Sequence, residues 1–293
     1  MHIKIFYRVT TLIFALTLIL TAKVSAEGIW RLDGEFANDM PRNFRIMEDL
    51  KISASGQPSM QSLMVLFNEL KHHTDGDIYI IDLREESHGF FNGYPVSYYT
   101  EKNLANFFKP RNQIENIEME LLSDMTGRQV DLLPLGNEDK KLFKPKHILV
   151  DLVTFEGEFA ESLGFVYLRL PVTDMYFPTP DIVEKFILFA LNVQETDWLH
   201  FHCQAGHGRT TTFTVMYEIL KHPDKTLEEI SAGQIALGGS DLLTYKDGDP
   251  KNYYVQAHNS RAAELRKFYD YAYKFNHGGI DISWSEYAKQ NKS

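Results

Sequence analysis

The 293-residue sequence predicts an α/β domain whose largely parallel sheet is flanked by helices. Three observations carry that expectation. Short apolar runs of strand length recur at residues 78–83, 147–153, 165–172 and 197–202. Stretches with apolar residues at helical spacing lie among and after them, at 58–72, 180–192, 210–220 and 261–275. The strand at 197–202 runs into a glycine-bearing turn and then directly into a helix.

Residues 1–26 are set apart. Lys4 and Arg8 precede the apolar run 12–20, and Val24, Ser25 and Ala26 follow it. This is the layout of a secretory signal, with an apolar stretch of about 7–15 residues and a small-residue cleavage site. An uncleaved anchor is the alternative, but the run falls short of the roughly 20 residues that span a bilayer. Secreted or periplasmic localisation follows, with residues 27–293 as the mature domain. Removing the leader takes Lys4, Arg8 and Lys23, and no acid, from a net charge of −10. So acidic a chain argues against a nucleic-acid footprint, but a small anionic substrate fits if positive charge is concentrated in one pocket.

The elements are justified in order. Residues 29–56 are mixed in polarity and carry the arginine pair Arg42 and Arg45. The helix at 58–72 puts Met60, Leu63, Met64, Phe67 and Leu70 on one face. Strand 78–83 leads into Arg84-Glu85-Glu86-Ser87-His88-Gly89. Residues 92–146 are rich in Asn, Gly, Lys and Glu and show no long helical stripe, and their short alternating segments predict a small inserted β subdomain. The helix at 180–192 has Thr179 as N-cap, Pro180 at its first position and Asp181 in its first turn. The helix at 210–220 faces inward with Phe213, Met216, Tyr217 and Leu220, and Pro223 stops it. The last helix, 261–275, does so with Leu265, Phe268, Tyr269 and Ala272.

The chain has one cysteine, Cys203, so no internal disulfide forms. In an oxidising compartment a lone thiol is either buried and inert or used. Its setting is His202-Cys203-Gln204-Ala205-Gly206-His207-Gly208-Arg209-Thr210. A loop between a strand end and a helix start gathers unpaired backbone N–H groups that favour an anion. Gly206 and Gly208 let such a loop curl. Arg209 has the planar fork that grips two phosphate oxygens. A thiol beside these groups loses its proton readily, so one structure both binds a phosphate and makes a nucleophile. A leaving alkoxide also needs a proton donor. Asp174 is the candidate: it ends the strand at 165–172, lies 29 residues before Cys203, and has aromatics and Pro178 beside it to desolvate its carboxyl.

His-Cys-x5-Arg-Thr preceded by an aspartate loop resembles the protein tyrosine phosphatase superfamily. The stretches 82–93 (DLREESHGFFNG), 173–180 (TDMYFPTP) and 198–211 (WLHFHCQAGHGRTT) resemble the bacterial protein-tyrosine-phosphatase-like phytases more closely. The resemblance runs from about Pro41 to the last helix. It implies a phosphatase α/β core with a small inserted partial β-barrel at about 92–146, and stepwise hydrolysis of myo-inositol hexakisphosphate through a phosphocysteine, without a metal or other cofactor. It makes Cys203 the nucleophile, Arg209 the phosphate clamp, Asp174 the acid and then base, and Thr210 a hydrogen-bond donor to the sulfur. His202, Gln204, Ala205, Gly206, His207 and Gly208 would form the cradle. Arg84, Glu86 and His88 would line its floor, and Arg45 would reach peripheral phosphates. His207 departs from the small or apolar residue common at its position.

Other readings stay open. A secreted phosphotyrosine or phosphoinositide phosphatase uses the same motif, and a catalytically dead phosphate-binding module would keep the cradle. Lys140, Lys141, Lys144 and Lys146 either hold peripheral phosphates or form a solvated basic loop. Lys251, Tyr253 and Tyr254 either reach substrate or do not. Gln234 either places the hydrolytic water or is an ordinary amide. His200 reads as a packed histidine. No His/Asp/Glu set has metal-ligand spacing.

Overall fold

The computed structural model describes residues 28–291; residues 1–26, expected to be a signal peptide, lie outside them. Eleven strands form among the described residues. The main sheet holds β10 (Val166–Val172), β4 (Ile78–Arg84), β11 (Trp198–His202), β3 (Ile52–Ser55) and β2 (Arg45–Met47), in that order. The first four are mutually parallel, and only β2 is antiparallel, to β3.

Side chains alternate across these strands, and the two faces bury different helices. Leu199, Phe201, Ile81 and Leu83 pack with Phe186, Phe213, Leu265, Phe268 and Trp284. These come from α5 (Pro180–Asn192), α6 (Gly208–Lys221), α8 (Tyr253–Asn276) and α9 (Trp284–Gln290). On the other face Ile78, Ile80 and Trp198 pack with Leu63, Leu66 and Leu70 of α1 (Met60–Leu70) and Ala160 of α4 (Glu156–Leu163). The alternation also puts His200 and His202 on the α1/α4 face, together with Asp82 and Arg84. Phe213 is fully buried, so its truncation to Ala costs about 3–5 kcal/mol.

A second β layer carries its own core of Trp30, Leu32, Phe91, Val96, Leu122, Val130, Leu132 and Phe143. Antiparallel strands β1 (Ile29–Leu32), β6 (Tyr94–Tyr99), β5 (His88–Phe91) and β9 (Val153–Thr154) form one sheet, and β7 (Gln129–Leu132) pairs with β8 (Lys146–Leu149). Leu32 N–H donates to Leu133 O (3.0 Å) and Leu133 N–H to Trp30 O (3.1 Å), joining β1 to the β7 side. Strands of this layer thus come from both sides of the expected 92–146 insert.

Other departures have physical reasons. Residues 111–123 are helical (α2, Arg111–Ser123), although only Ile114, Glu118 and Leu122 are buried there; three inward positions on a charged helix leave little periodic signal. A second helix, α3 (Gly136–Leu142), lies in the same stretch. The apolar run 147–153 is not one strand of the parallel sheet: it divides between β8 and β9. On α1, Leu66 rather than Met64 faces the core. Helix α8 begins at Tyr253, capped by the Asn252 side chain, which accepts from Tyr254 N–H at 2.9 Å. Helix α7 (Leu227–Ala236) opens with a capping box between Thr226 and Glu229.

Candidate active site

The parallel order brings four strand ends to one edge. His202 stands in register beside Asp82 of β4 and Ser55 of β3, and Arg84 beside Val172 of β10. The segments that follow, Gly56-Gln57, Glu85-Glu86, Thr173-Asp174 and 203–207, therefore emerge together at the carboxyl ends of the strands, where open α/β sheets hold their ligands.

Cys203 is buried between β11 and the start of α6. Burial pushes its thiol up. The Arg209 guanidinium opposes that, with Thr210 beside the sulfur, and the net result is a lowered pKa. The loop's two glycines serve different ends. Gly206 has φ +76, and a Cβ there would stand 2.5 Å from backbone atoms of Ser55 and Gly56. A Cβ on Gly208 would instead meet Nη1 of Arg261 at 2.5 Å. Arg261 is buried and reaches His258 Nδ1 at 3.3 Å.

Arg209 donates through Nη1 and Nη2 to both carboxylate oxygens of Glu86, at 2.6 and 2.9 Å, and through Nη1 to Val172 O at 3.2 Å. Its Nε is buried with no hydrogen-bond partner among the described residues. Neither do the N–H groups of Ala205, Gly206 and His207 find a backbone acceptor there. These donors are thus left without a protein acceptor in the loop that carries Cys203. Asp174 Oδ1 is 3.4 Å from Arg209 Nη2, on a side chain 37% exposed. Its loop turns sharply at Met175, φ 72, and Tyr176 packs edge-on against Tyr253 at 5.8 Å. The start of α8 therefore flanks the acid loop. Lys251 and Tyr254 beside it are exposed.

Several residues expected to meet substrate are instead occupied in support. The Arg84 guanidinium pairs with Asp33 (2.9 Å) and Glu86 (2.9 Å) and donates to Gln57 Oε1 (2.7 Å). Glu86 is wholly engaged by Arg84 and Arg209. Burial would raise its pKa, yet the two guanidinium groups, Arg209 foremost, hold its carboxyl well below the usual range. His88 donates through Nδ1 to Glu86 O (2.8 Å) and through Nε2 to Glu156 (2.9 Å). Burial would lower its pKa, but Asp82 and Glu118 push it up to about 10, so it is an imidazolium. Arg45 does not reach outward: it is buried and donates to Gly206 O (2.9 Å) and Thr211 Oγ1 (3.3 Å). His202 turns onto the α1/α4 face, fully buried, 3.4 Å from Glu156. The Gln204 side chain points to Asp139 (3.3 Å). His207 and Asn43 meet at 3.1 Å on the exposed side of the loop.

Gln234 lies away from the cradle, since its amide bonds Thr214 (2.7 Å) and Glu218 (3.0 Å) between α7 and α6. His200 is buried between Ser53 (2.9 Å) and Ser55 (3.0 Å). Lys140, Lys141 and Lys144 are exposed, and Lys146 pairs with Glu35 at 2.7 Å. Asp82, His88 and Glu156 come within metal-binding reach of one another. Each already has protein partners: His88 bonds Glu86 O and Glu156, and Asp82 accepts from Tyr167 (2.8 Å) and pairs with Arg169 (3.1 Å).

Residues given no role from the sequence complete the site: Asp33, Gln57 and Glu156 behind Arg84 and His88, and Asn43, Asp139 and Arg42, noted there only as one of an arginine pair, around the loop. One signal pointed to the first group. Asp82 sits in the apolar strand run 78–83, and a carboxylate buried there requires partners.

A family model of protein-tyrosine-phosphatase-like phytases, described as inositol hexakisphosphate, matches residues 81–221. A protein-tyrosine-phosphatase-like myo-inositol phosphatase from Mitsuokella multacida, solved with myo-inositol-(1,3,4,5)-tetrakisphosphate, superposes with a TM-score of 0.84 at 30% identity, over 94% of this chain and 52% of that one. A protein-tyrosine-phosphatase-like phytase from Bdellovibrio bacteriovorus matches at 30% identity with a TM-score of 0.74, over 89% of this chain and 95% of that one. Effector protein hopD2 of Pseudomonas syringae pv. tomato is 26% identical over 216 residues, 72% of this chain and 46% of that protein. The chain thus spans about half the length of the Mitsuokella and Pseudomonas relatives.

Proposed function

The chain belongs to the family of protein-tyrosine-phosphatase-like phytases, and from that premise we propose that it is a cysteine-dependent phosphomonoesterase acting on myo-inositol hexakisphosphate and lower inositol phosphates. One observation carries the proposal: the loop of a buried thiol of lowered pKa leaves Arg209 Nε and the amides of Ala205, Gly206 and His207 without protein acceptors.

In the first step the Cys203 thiolate attacks phosphorus in line. A sulfur–phosphorus bond forms and the bond to the inositol oxygen breaks. Asp174 gives that oxygen its proton. Arg209 and the amides of Ala205, Gly206 and His207 bind the equatorial oxygens, an electrostatic stabilisation fixed before the reaction begins. In the second step Asp174 takes a proton from water as the water oxygen attacks phosphorus. Phosphate leaves, and Cys203 returns to the thiolate with Thr210 beside it. Asp174 is suited to both tasks because it is partly exposed to water and 3.4 Å from the arginine that holds the phosphate.

The leader-like residues 1–26 support export, as does the description of the Pseudomonas relative as an effector. Among the described residues no helix is long and apolar enough to cross a membrane.

The test is product analysis. The wild type should convert inositol hexakisphosphate to lower inositol phosphates, and Cys203→Ser should bind it without turnover. Faster hydrolysis of a phosphotyrosine peptide than of any inositol phosphate would replace the substrate. Normal turnover by Cys203→Ser would overturn the mechanism.

A further inference from the structure

Three successive backbone carbonyls of the loop are held from one short segment. Arg42 Nη2 donates to Gln204 O at 2.9 Å, Asn43 Nδ2 to Ala205 O at 2.7 Å, and Arg45 Nη1 to Gly206 O at 2.9 Å. Gln57 N–H adds a second donor to Gln204 O at 3.1 Å. In a trans peptide the C=O of one residue and the N–H of the next point in opposite directions. Holding the carbonyls of 204, 205 and 206 toward the Arg42–Arg45 segment therefore turns the N–H groups of Ala205, Gly206 and His207 the other way, toward Cys203. A flip of any of these peptides would replace a donor with a carbonyl oxygen, which repels both a phosphate and a thiolate. Gly206, at φ +76, is where the chain is most free to flip.

The holding segment is itself fixed at both ends. Gly56 N–H donates to Arg42 O at 2.8 Å, and Arg45 pairs in register with Ala54 at the sheet edge. On the other side Asp139 of α3 takes Arg42 Nη1 at 2.6 Å and Gln204 Nε2 at 3.3 Å. Asp139 also accepts from Arg31 Nη2 at 2.5 Å, which ties the second β layer to the loop.

We propose that Arg42, Asn43 and Arg45 are positioning residues that keep the loop amides aimed at the phosphate and the sulfur, with Asp139 fixing Arg42 in place. The proposal rests on reading residues 203–209 as a phosphate cradle, but not on inositol hexakisphosphate being the substrate.

Asn43 gives the cleanest test because it is exposed and its loss leaves no buried charge. Three measurements apply to wild type, Asn43→Ala, Asn43→Gly and Asn43→Asp: the pH dependence of Cys203 alkylation by iodoacetamide, the affinity for tungstate, and the melting temperature. None of them requires turnover, so they decide the proposal even if the wild type fails to hydrolyse inositol hexakisphosphate. In Asn43→Ala the alkylation midpoint should move to higher pH and tungstate should bind about fivefold more weakly, the effect of one lost neutral hydrogen bond; the melting temperature should fall by what alanine costs at φ 56, and Asn43→Gly, which accepts that backbone, should show the same two shifts at a nearly unchanged melting temperature. Asn43→Asp, which sets a carboxylate against the Ala205 carbonyl, should do more of both. Arg45→Met, if it folds, should shift in the same direction. Wild-type alkylation and tungstate affinity in Asn43→Asp would overturn the proposal.

Discussion

Glu86 holds Arg209 through both carboxylate oxygens, at 2.6 Å to Nη1 and 2.9 Å to Nη2, and one of the same oxygens takes Arg84 Nε at 2.9 Å. Both partners are buried, so the fork of Arg209 has one orientation and its Nε is left for a ligand. Glu86→Gln would set an amide N–H against that fork. Leaving a buried charge unpaired costs about 3–5 kcal/mol, and the freed arginine should lower kcat/KM on an aryl phosphate by about a hundredfold, one misplaced transition-state contact. Urea unfolding and steady-state rates measure the two effects. A variant that matches wild type in both would contradict the support role.

The thiol of Cys203 titrates below its ordinary range of about 8.5. The charged form is therefore a larger share at any given pH than in an ordinary thiol, and the acid limb of kcat/KM that reports the thiol should lie on the acid side of that value. Arg209→Met removes the strongest opponent of burial, so the alkylation midpoint should move up in that variant. An unchanged midpoint would mean that Arg209 does not set the thiolate.

His88 should make stability depend on pH in a stated direction. Its pKa is raised to about 10 in the fold, against about 6.5 in an unfolded chain. Its contribution is fully present below about 6.5 and is lost as pH rises through about 10. The groups facing it are Asp82, Glu118 and Glu156, opposed by Arg84 and Arg169. The urea midpoint of wild type should fall across that window, and that of His88→Gln should fall less from a lower starting value. Parallel slopes would contradict the assignment.

The two loop glycines should respond differently to alanine. At Gly206 the left-handed φ and the backbone 2.5 Å away leave a methyl group no room, so Gly206→Ala should lose activity and more than about 1 kcal/mol of stability. At Gly208 the obstacle is the end of the Arg261 side chain, which can move; Gly208→Ala should fold normally with a smaller loss of activity. Circular dichroism melts and rates on an aryl phosphate compare them.

What was legible in the sequence follows contiguity. Cys203, Arg209 and Thr210 lie within one strand–loop–helix unit, so their chemistry could be read from residue types and spacing. Asp174 was singled out because parallel strands share an edge, and it stands 3.4 Å from Arg209. Most of the support shell was not legible, because Asp33, Gln57 and Glu156 join Arg84 and His88 only in the folded chain. Arg45 drew notice as one of an arginine pair, but nothing in the sequence indicates that its fork faces the underside of a loop 161 residues away. The second β layer was only partly visible: β1 and β7 have four residues each, and α2 turns just three side chains inward. The strand at 197–202 carried one misleading signal. His202 is next to Cys203 in sequence, but strand alternation sends its ring to the opposite face of the sheet.

The central claim is that phosphate passes through the sulfur of Cys203. The direct measurement is rapid acid quench of Asp174→Asn during turnover of 4-nitrophenyl phosphate, whose leaving group departs without a proton so that the first step survives the loss of the acid, followed by mass spectrometry of the peptide containing Cys203. With the general base gone, hydrolysis of the intermediate slows, and that peptide should carry one phosphoryl group on Cys203. An unmodified peptide during continuing phosphate release, or a phosphoryl group on another residue, would contradict the account.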